Sequence, residues 1–181
     1  RQMGHAVTIF EAMPKLGGML RYGIPEYRLP KDVLDEEIAT IKSMGVEIKT
    51  NMKIGTDILF DVLYRNYDAV LIGIGAWVST GVGCPGEDAE GVIGGIDFLR
   101  RVVRNETIRL GERVAVVGGG NTAMDCVRTS VRLGSADVTC IYRRTEAEMP
   151  AEKIEIHEAM EEGVTFRFLR NPAEILGEDG K

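Results

Sequence analysis

Residues Arg113 to Arg144 read RVAVVGGGNTAMDCVRTSVRLGSADVTCIYRR, and few backbone arrangements accommodate such a segment. Val114 to Val117 form a continuous apolar run, the signature of a strand covered on both faces in a parallel sheet. Gly118, Gly120 and Ala123 follow as G-x-G-x-x-A. Gly118 permits a tight turn, Gly120 lets backbone approach a pyrophosphate, and Ala123 lets helix and strand pack closely. The helix predicted next carries Met124, Val127 and Val131 on one stripe, with Arg128 and Arg132 off it, and Gly134 is placed to cap its end. A second strand runs from Val138 to Tyr142. The free N–H groups at the start of the helix would hold phosphates.

The end of the second strand selects the nucleotide. A carboxylate there bonds the ribose 2′-OH of NAD. This sequence has Arg143 and Arg144 instead. Two guanidiniums accept a 2′-phosphate through charge-assisted, often bidentate hydrogen bonds. The unit therefore reads as a site for NADP(H), with Gly118 making the turn and Gly120 at the pyrophosphate.

The rest of the chain alternates strands and helices, which specifies an α/β fold with parallel sheets. The sequence predicts a strand over residues 6–11 and a loop from Met13 to Pro30. It then predicts a helix from Asp32 to Met44 ended by Gly45, a strand over Val46 to Lys49 and a helix over Asp57 to Arg65. A buried strand over Asp68 to Ile74 runs into Gly75. Further helices are expected over Ile96 to Arg104 and Ala151 to Glu162, and strands over Val164 to Leu169 and Ala173 to Leu176. The carboxylates of the 151–162 helix read as a solvated face. Glu11, ending the first strand, takes the acidic ribose-binding position of a second dinucleotide unit, whose glycine loop would lie upstream.

Composition narrows the function. The 181 residues carry a formal charge of −6 without a long basic run, which argues against a nucleic-acid partner. The longest apolar run, Ala69 to Val78, is interrupted by two glycines. It falls well short of the ~20 residues a membrane helix needs. Cys84, Cys126 and Cys140 are widely spaced, with no C-x-x-C, so a disulfide framework, a zinc site or a redox dithiol is not expected. Reduced cysteines and no visible signal peptide point to the cytoplasm. His5 and His157 lack metal-ligand spacing.

The phrases VTIFEAMPKLGGMLRYGIPEYRLPKDVLDEEI, YDAVLIGIGAW, PGED, GGGNTAMDCVRTSVRLGSADVTCIYRR and EMPA together resemble the small subunit of NADPH-dependent glutamate synthase and its relatives. Those relatives include the flavin subunit of ferredoxin–NADP transhydrogenases and the N-terminal half of dihydropyrimidine dehydrogenase. The resemblance covers essentially the whole chain. It implies a glutathione-reductase-like flavoprotein with two Rossmann-like dinucleotide-binding units, one for FAD and one for NADPH, both incomplete here. Residues 1–77 would be the partial FAD domain, without its first strand and glycine loop. Residues 78–181 would be the NADP(H) domain, with a linker and helix at 78–111 and its C-terminal part missing.

The resemblance further implies hydride transfer from NADPH to FAD. Electrons would then pass through 4Fe-4S clusters, held in a missing upstream region, to a larger catalytic subunit or domain. It assigns Gly119, Gly120, Asn121 and Thr122 to the NADP pyrophosphate loop and Arg143 and Arg144 to the 2′-phosphate, Glu11 to the FAD adenosine ribose, and Gly17, Gly18 and Met19 to backbone beside the flavin nucleotide. Arg28 is given an FAD contact, Ile54 a place near the adenine, and Gly75 a place at a second flavin-contacting strand end. No acid–base residue is needed, because the cofactors carry the chemistry. An internal fragment of this kind is expected to be inactive alone. A thioredoxin-reductase-like flavoenzyme is the alternative, weakened by the missing C-x-x-C. So is a non-catalytic NADP-binding regulatory subunit, weakened by the RYGIPEYR loop.

Overall fold

The computed structural model describes residues 1–177, which divide into two compact units, Arg1–Ala76 and the described residues from Trp77 onward. The sequence expectation of a strand ending near residue 176 falls inside the described part, and the end of the chain after residue 177 lies outside it.

In the first unit, β1 (Thr8–Phe10) pairs in parallel with β2 (Glu47–Lys49), Thr8 opposite Glu47 and Phe10 opposite Lys49. Parallel pairing needs a crossover, supplied by α1 (Gly18–Tyr22) and α2 (Lys31–Ser43). The segment 13–30, expected as a loop, thus contains a helix. Its short length hid it, since five residues show no periodicity. Arg21 stabilises it: this 6%-exposed guanidinium donates to the Leu16 carbonyl and pairs with the Asp35 carboxylate on α2. Gly45 ends α2 as expected, with φ 79° and its N–H on the Lys42 carbonyl. α3 (Phe60–Asn66) starts three residues later than the periodicity suggested, because Asp57 turns back to accept the Lys53 N–H at 2.8 Å.

The expected buried strand over Asp68 to Ile74 does not form. Leu71 is 95% exposed, and no strand lies beside it among the described residues. A continuous apolar run becomes a sheet strand only where neighbours complete its ladder and cover both faces. The expected strand at 173–176 does not form either: the chain bends at Ala173 and is tied by the Ile175 N–H on the Pro85 carbonyl at 2.9 Å.

The second unit begins with α4 (Gly95–Val103) and continues through β3 (Arg113–Val117), α5 (Asn121–Arg132) and β4 (Asp137–Tyr142). A single 3₁₀ turn (Glu146–Glu148), α6 (Lys153–Glu161) and β5 (Thr165–Phe168) complete it. The three strands make a parallel sheet in the order β3-β4-β5. Its core is Met124 and Val127 of α5, Val138 and Cys140 of β4, Ile156 and Ala159 of α6, and Val164. Full burial of each larger aliphatic side chain contributes about 1.5–3 kcal/mol. α5 contains β-branched Thr122, Val127, Thr129 and Val131, so packing rather than propensity secures it. It ends in a Schellman arrangement, Gly134 at φ 95° with N–H on the Val131 carbonyl and Ser135 N–H on that of Ser130. α6 ends the same way through Gly163 and Val164.

Two expectations about this unit are corrected. β3 is covered on one face only: Val114 and Val116 are half-buried while Ala115 and Val117 are exposed, since α5 packs on one side and no second layer faces the other among the described residues. The carboxylates expected as one solvated face are divided: Glu152 and Glu161 are exposed, whereas Glu155 is buried and Glu158 and Glu162 are half-buried against Arg128. Arg128 is 5% exposed and reaches Glu155 and Glu158 at 2.6 Å and Glu162 at 2.8 Å, while Arg132 also pairs with Glu162. α5 and α6 pack side by side, so the charged edges of both helices face one another, which neither helix reveals alone.

This network carries a prediction. The Arg132 guanidinium first, and Arg128 with it, hold the Glu162 carboxyl down to about 2. A carboxyl depressed in the folded state stabilises fully above its unfolded pKa of about 4.3, and that contribution is lost as pH falls toward 2. Protection factors of the α5 and α6 amides in the full-length protein should therefore fall between about pH 4.5 and 2, less so in Glu162→Gln. Arg128→Met should cost about 3 kcal/mol at neutral pH, by taking the guanidinium away from the buried Glu155 carboxylate. Unchanged exchange in Arg128→Met would refute the role given to this cluster.

Candidate functional site

The strongest site lies at the C-terminal ends of β3 and β4. The ladder pairs Val117 with Ile141, and the Gly118 N–H extends it to the Ile141 carbonyl at 3.0 Å. Gly118 has φ 149°, outside the range of ordinary side chains, and a Cβ on it would stand 3.3 Å from that of Ala123. The roles read for Gly118 and Ala123, turn and close helix contact, are those the geometry gives.

The three glycine carbonyls are all engaged on the protein side. That of Gly118 accepts the Cys140 thiol at 3.3 Å, and that of Gly119 the Ala151 N–H at 3.1 Å. That of Gly120 accepts the N–H groups of Ala123 and Met124 at 2.9 and 3.2 Å. Among the described residues, no acceptor meets the N–H groups of Gly119, Gly120, Asn121 or Thr122. Asn121 and Thr122 are exposed, and a Cβ on Gly120 would meet no atom within 4 Å. The loop therefore presents donors at the positive end of the α5 dipole and no acceptor, which is the polarity an anion requires.

Gly119 has a different task. A Cβ there would lie 2.5 Å from the Tyr142 ring, whose hydroxyl donates to the Glu148 carbonyl at 2.9 Å. Asn121 uses its side-chain oxygen inside the protein, accepting the Glu152 N–H at 2.9 Å. Arg143 and Arg144 follow Tyr142 directly and are exposed. Neither guanidinium has a hydrogen bond or ion pair among the described residues, although the charge of Arg144 helps to lower the Glu148 pKa, after the hydrogen bonds from Thr145.

In the first unit, Glu11 ends β1 and its Oε1 accepts the Met13 N–H at 2.8 Å. The Met52 N–H on the Glu11 carbonyl brings the chain before Ile54 alongside, and Ile54 bridges to Ile58. Gly17, at φ 120°, cannot carry a Cβ because Leu34 Cδ2 would be 2.9 Å away, so it seats the loop on α2. Gly18, at φ 50°, faces open space. Met19 lies on α1, and Arg28 is half-buried with its N–H on the Pro25 carbonyl. Gly75, at φ 68°, is exposed in the stretch without strand structure, so the strand end expected there is absent. Lys15, Arg21, Asp35 and Lys42 line a cleft of about 640 Å³ between α2 and β2, a feature the sequence did not signal.

Burial pushes the Cys126 and Cys140 thiols up to about 12, so neither serves as a nucleophile. No group of three or more His, Cys, Asp or Glu suited to a metal occurs among the described residues, and no helix there is long and apolar enough to cross a membrane. His157 lies 3.2 Å from Glu161 on its own helix.

A parallel α/β sheet with a donor-only loop at the head of a helix defines a class of α/β proteins that receive anionic ligands at strand ends. Comparison with known proteins makes this specific. The model of the family described as pyridine nucleotide-disulphide oxidoreductase matches residues 1–181, and the chain belongs to that family. It is 49% identical over 180 residues to the β subunit of the NADP(+)-dependent formate dehydrogenase of Moorella thermoacetica, covering 98% of this chain and 26% of that protein. It is 43% identical over 182 residues to the glutamate synthase [NADPH] small chain of Halomonas elongata, covering 95% of this chain and 39% of that one. The resemblance to glutamate synthase small chains and related NADPH-dependent oxidoreductase subunits is thus sound, and the chain spans well under half of these curated relatives. Mycobacterium tuberculosis FprA in complex with NADPH shares the fold, with a TM-score of 0.82 at 21% identity over 96% of this chain and 54% of that one.

The two inner glycines should respond oppositely to substitution. Gly119→Ala forces Tyr142 to move and should cost about 1–3 kcal/mol of stability. A Cβ at position 120 meets no protein atom within 4 Å, so Gly120→Val should fold yet abolish binding of a phosphate-bearing nucleotide. Thermal denaturation with nucleotide titration of both variants checks this, and tight binding by a folded Gly120→Val variant would show that the cradle lies elsewhere.

Proposed function

We propose that residues 113–177 bind NADP(H), and that the chain is part of an oxidoreductase passing a hydride from NADPH to FAD. Electrons would then leave through iron–sulfur clusters to a larger catalytic subunit or domain, as in glutamate synthase. The observation that carries this reading is the glycine loop with every carbonyl turned inward and four successive N–H groups open, two strand-end arginines standing next to it. The family and the named relatives support it.

In this reading the N–H groups of Gly119, Gly120, Asn121 and Thr122 hold the pyrophosphate, with Gly118 making the turn. Arg143 and Arg144 hold the 2′-phosphate. Glu11 takes an adenosine ribose hydroxyl of FAD on the oxygen that Met13 leaves open. Gly18 offers bare backbone to the flavin nucleotide, with Gly17 fixing that loop on Leu34. Met19, Arg28, Ile54 and Gly75 border the same cofactor. The bound cofactors supply the hydride chemistry, and the chain orients them and balances their charge.

Each charge-assisted bond to the 2′-phosphate contributes about 1.5–3 kcal/mol. Arg143→Ala/Arg144→Ala in the full-length enzyme should therefore weaken NADPH roughly a hundredfold and leave NADH within about twofold. Equal losses for both nucleotides would refute the assignment. A full-length preparation that is yellow and bleaches with NADPH separates the oxidoreductase from a regulatory subunit that only binds nucleotide.

A further inference from the structure

The segment after Arg144 does more than connect β4 to α6. It holds the glycine loop at two points, the Ala151 N–H on the Gly119 carbonyl and the Glu152 N–H on Asn121 Oδ1, while Tyr142 at the end of β4 packs against Gly119. Thr145 and Glu148 stiffen its start with a reciprocal capping box, and Met149 and Ala151 are buried in the core around α5. A trans peptide is planar, with its C=O and N–H pointing in opposite directions. Drawing the Gly119 carbonyl down to Ala151 therefore aims the Gly120 N–H outward. The Asn121–Glu152 bond ties the first residue of α5 to the same segment through its side chain.

We propose that Asn121 and the 151–152 backbone form a latch that orients the cradle, with Asn121 as a positioning residue for the pyrophosphate; this rests on the nucleotide-site reading above. Tying the Asn121 oxygen to Glu152 also keeps the only acceptor of that side chain turned away from the phosphates and leaves its NH₂ as the free end. The latch acts on the part shared by NADPH and NADH, whereas Arg143 and Arg144 act on the 2′-phosphate alone.

The test is a double-mutant cycle in the full-length enzyme. Asn121→Ala removes the acceptor. Glu152→Pro removes the donor at a residue whose φ of −60° already suits proline. Dissociation constants are measured for NADPH, NADH and adenosine 2′-monophosphate, which carries the 2′-phosphate without a pyrophosphate. Each single variant should weaken NADPH and NADH by the same factor, about fivefold to tenfold, and leave adenosine 2′-monophosphate unchanged. The double variant should be no worse than either single one. Additive losses, or full NADPH affinity in both single variants, would overturn the latch while the arginine assignment stands. Arg143→Ala/Arg144→Ala without effect on adenosine 2′-monophosphate or NADPH would remove the nucleotide site itself, and the latch with it. Should Asn121→Ala not fold, Glu152→Pro decides alone: loss of both dinucleotides with the monophosphate retained supports the latch, and no loss overturns it.

Discussion

Val117 and Ile141 face each other on the last rung of the β3–β4 ladder, and the Gly118 N–H adds one bond beyond it. Everything in the nucleotide half hangs on that register. It brings the glycine turn beside Tyr142 and sets Arg143 and Arg144 one step further along the neighbouring strand. A slip of one residue would turn Tyr142 to the opposite face of the sheet and take its ring from under Gly119. The parallel direction matters as much, since it puts the C-terminal ends of both strands, and hence both loops, at one edge.

The local parts of this arrangement were legible in the sequence. Gly118, Ala123 and Gly134 do what their spacing implied, because turns, close contacts and caps depend on backbone conformation within a few residues. Contacts between distant residues were not legible. Gly119 looks like one more phosphate-loop glycine, and only the fold shows that its missing side chain makes room for a ring 23 positions later. Arg128 lies off the apolar stripe of its helix, and only the fold shows that Glu155, Glu158 and Glu162 stand against it. The capacity of Asn121 to bond Glu152 leaves no trace in local pattern.

The apolar run around Leu71 fails for a related reason. Hydrophobicity records what a segment needs, whereas pairing depends on what stands next to it. β1 and β2 form a two-stranded sheet, and nothing among the described residues offers the 69–76 stretch a ladder. The first unit instead draws its order from polar ties within one crossover: Arg21 joins loop, α1 and Asp35, and the bare Gly17 lets Leu34 close on them.

Cys140 sits at the back of the glycine turn, fully buried, its thiol on the Gly118 carbonyl. Burial pushes this thiol up to about 12, so at neutral pH it keeps its proton and remains a donor. Burial also denies oxidants and metal ions the thiolate they would attack. The sulfur thereby becomes an inert fitting: a residue type usually associated with reactivity gives the turn a hydrogen bond indifferent to the redox state of its surroundings.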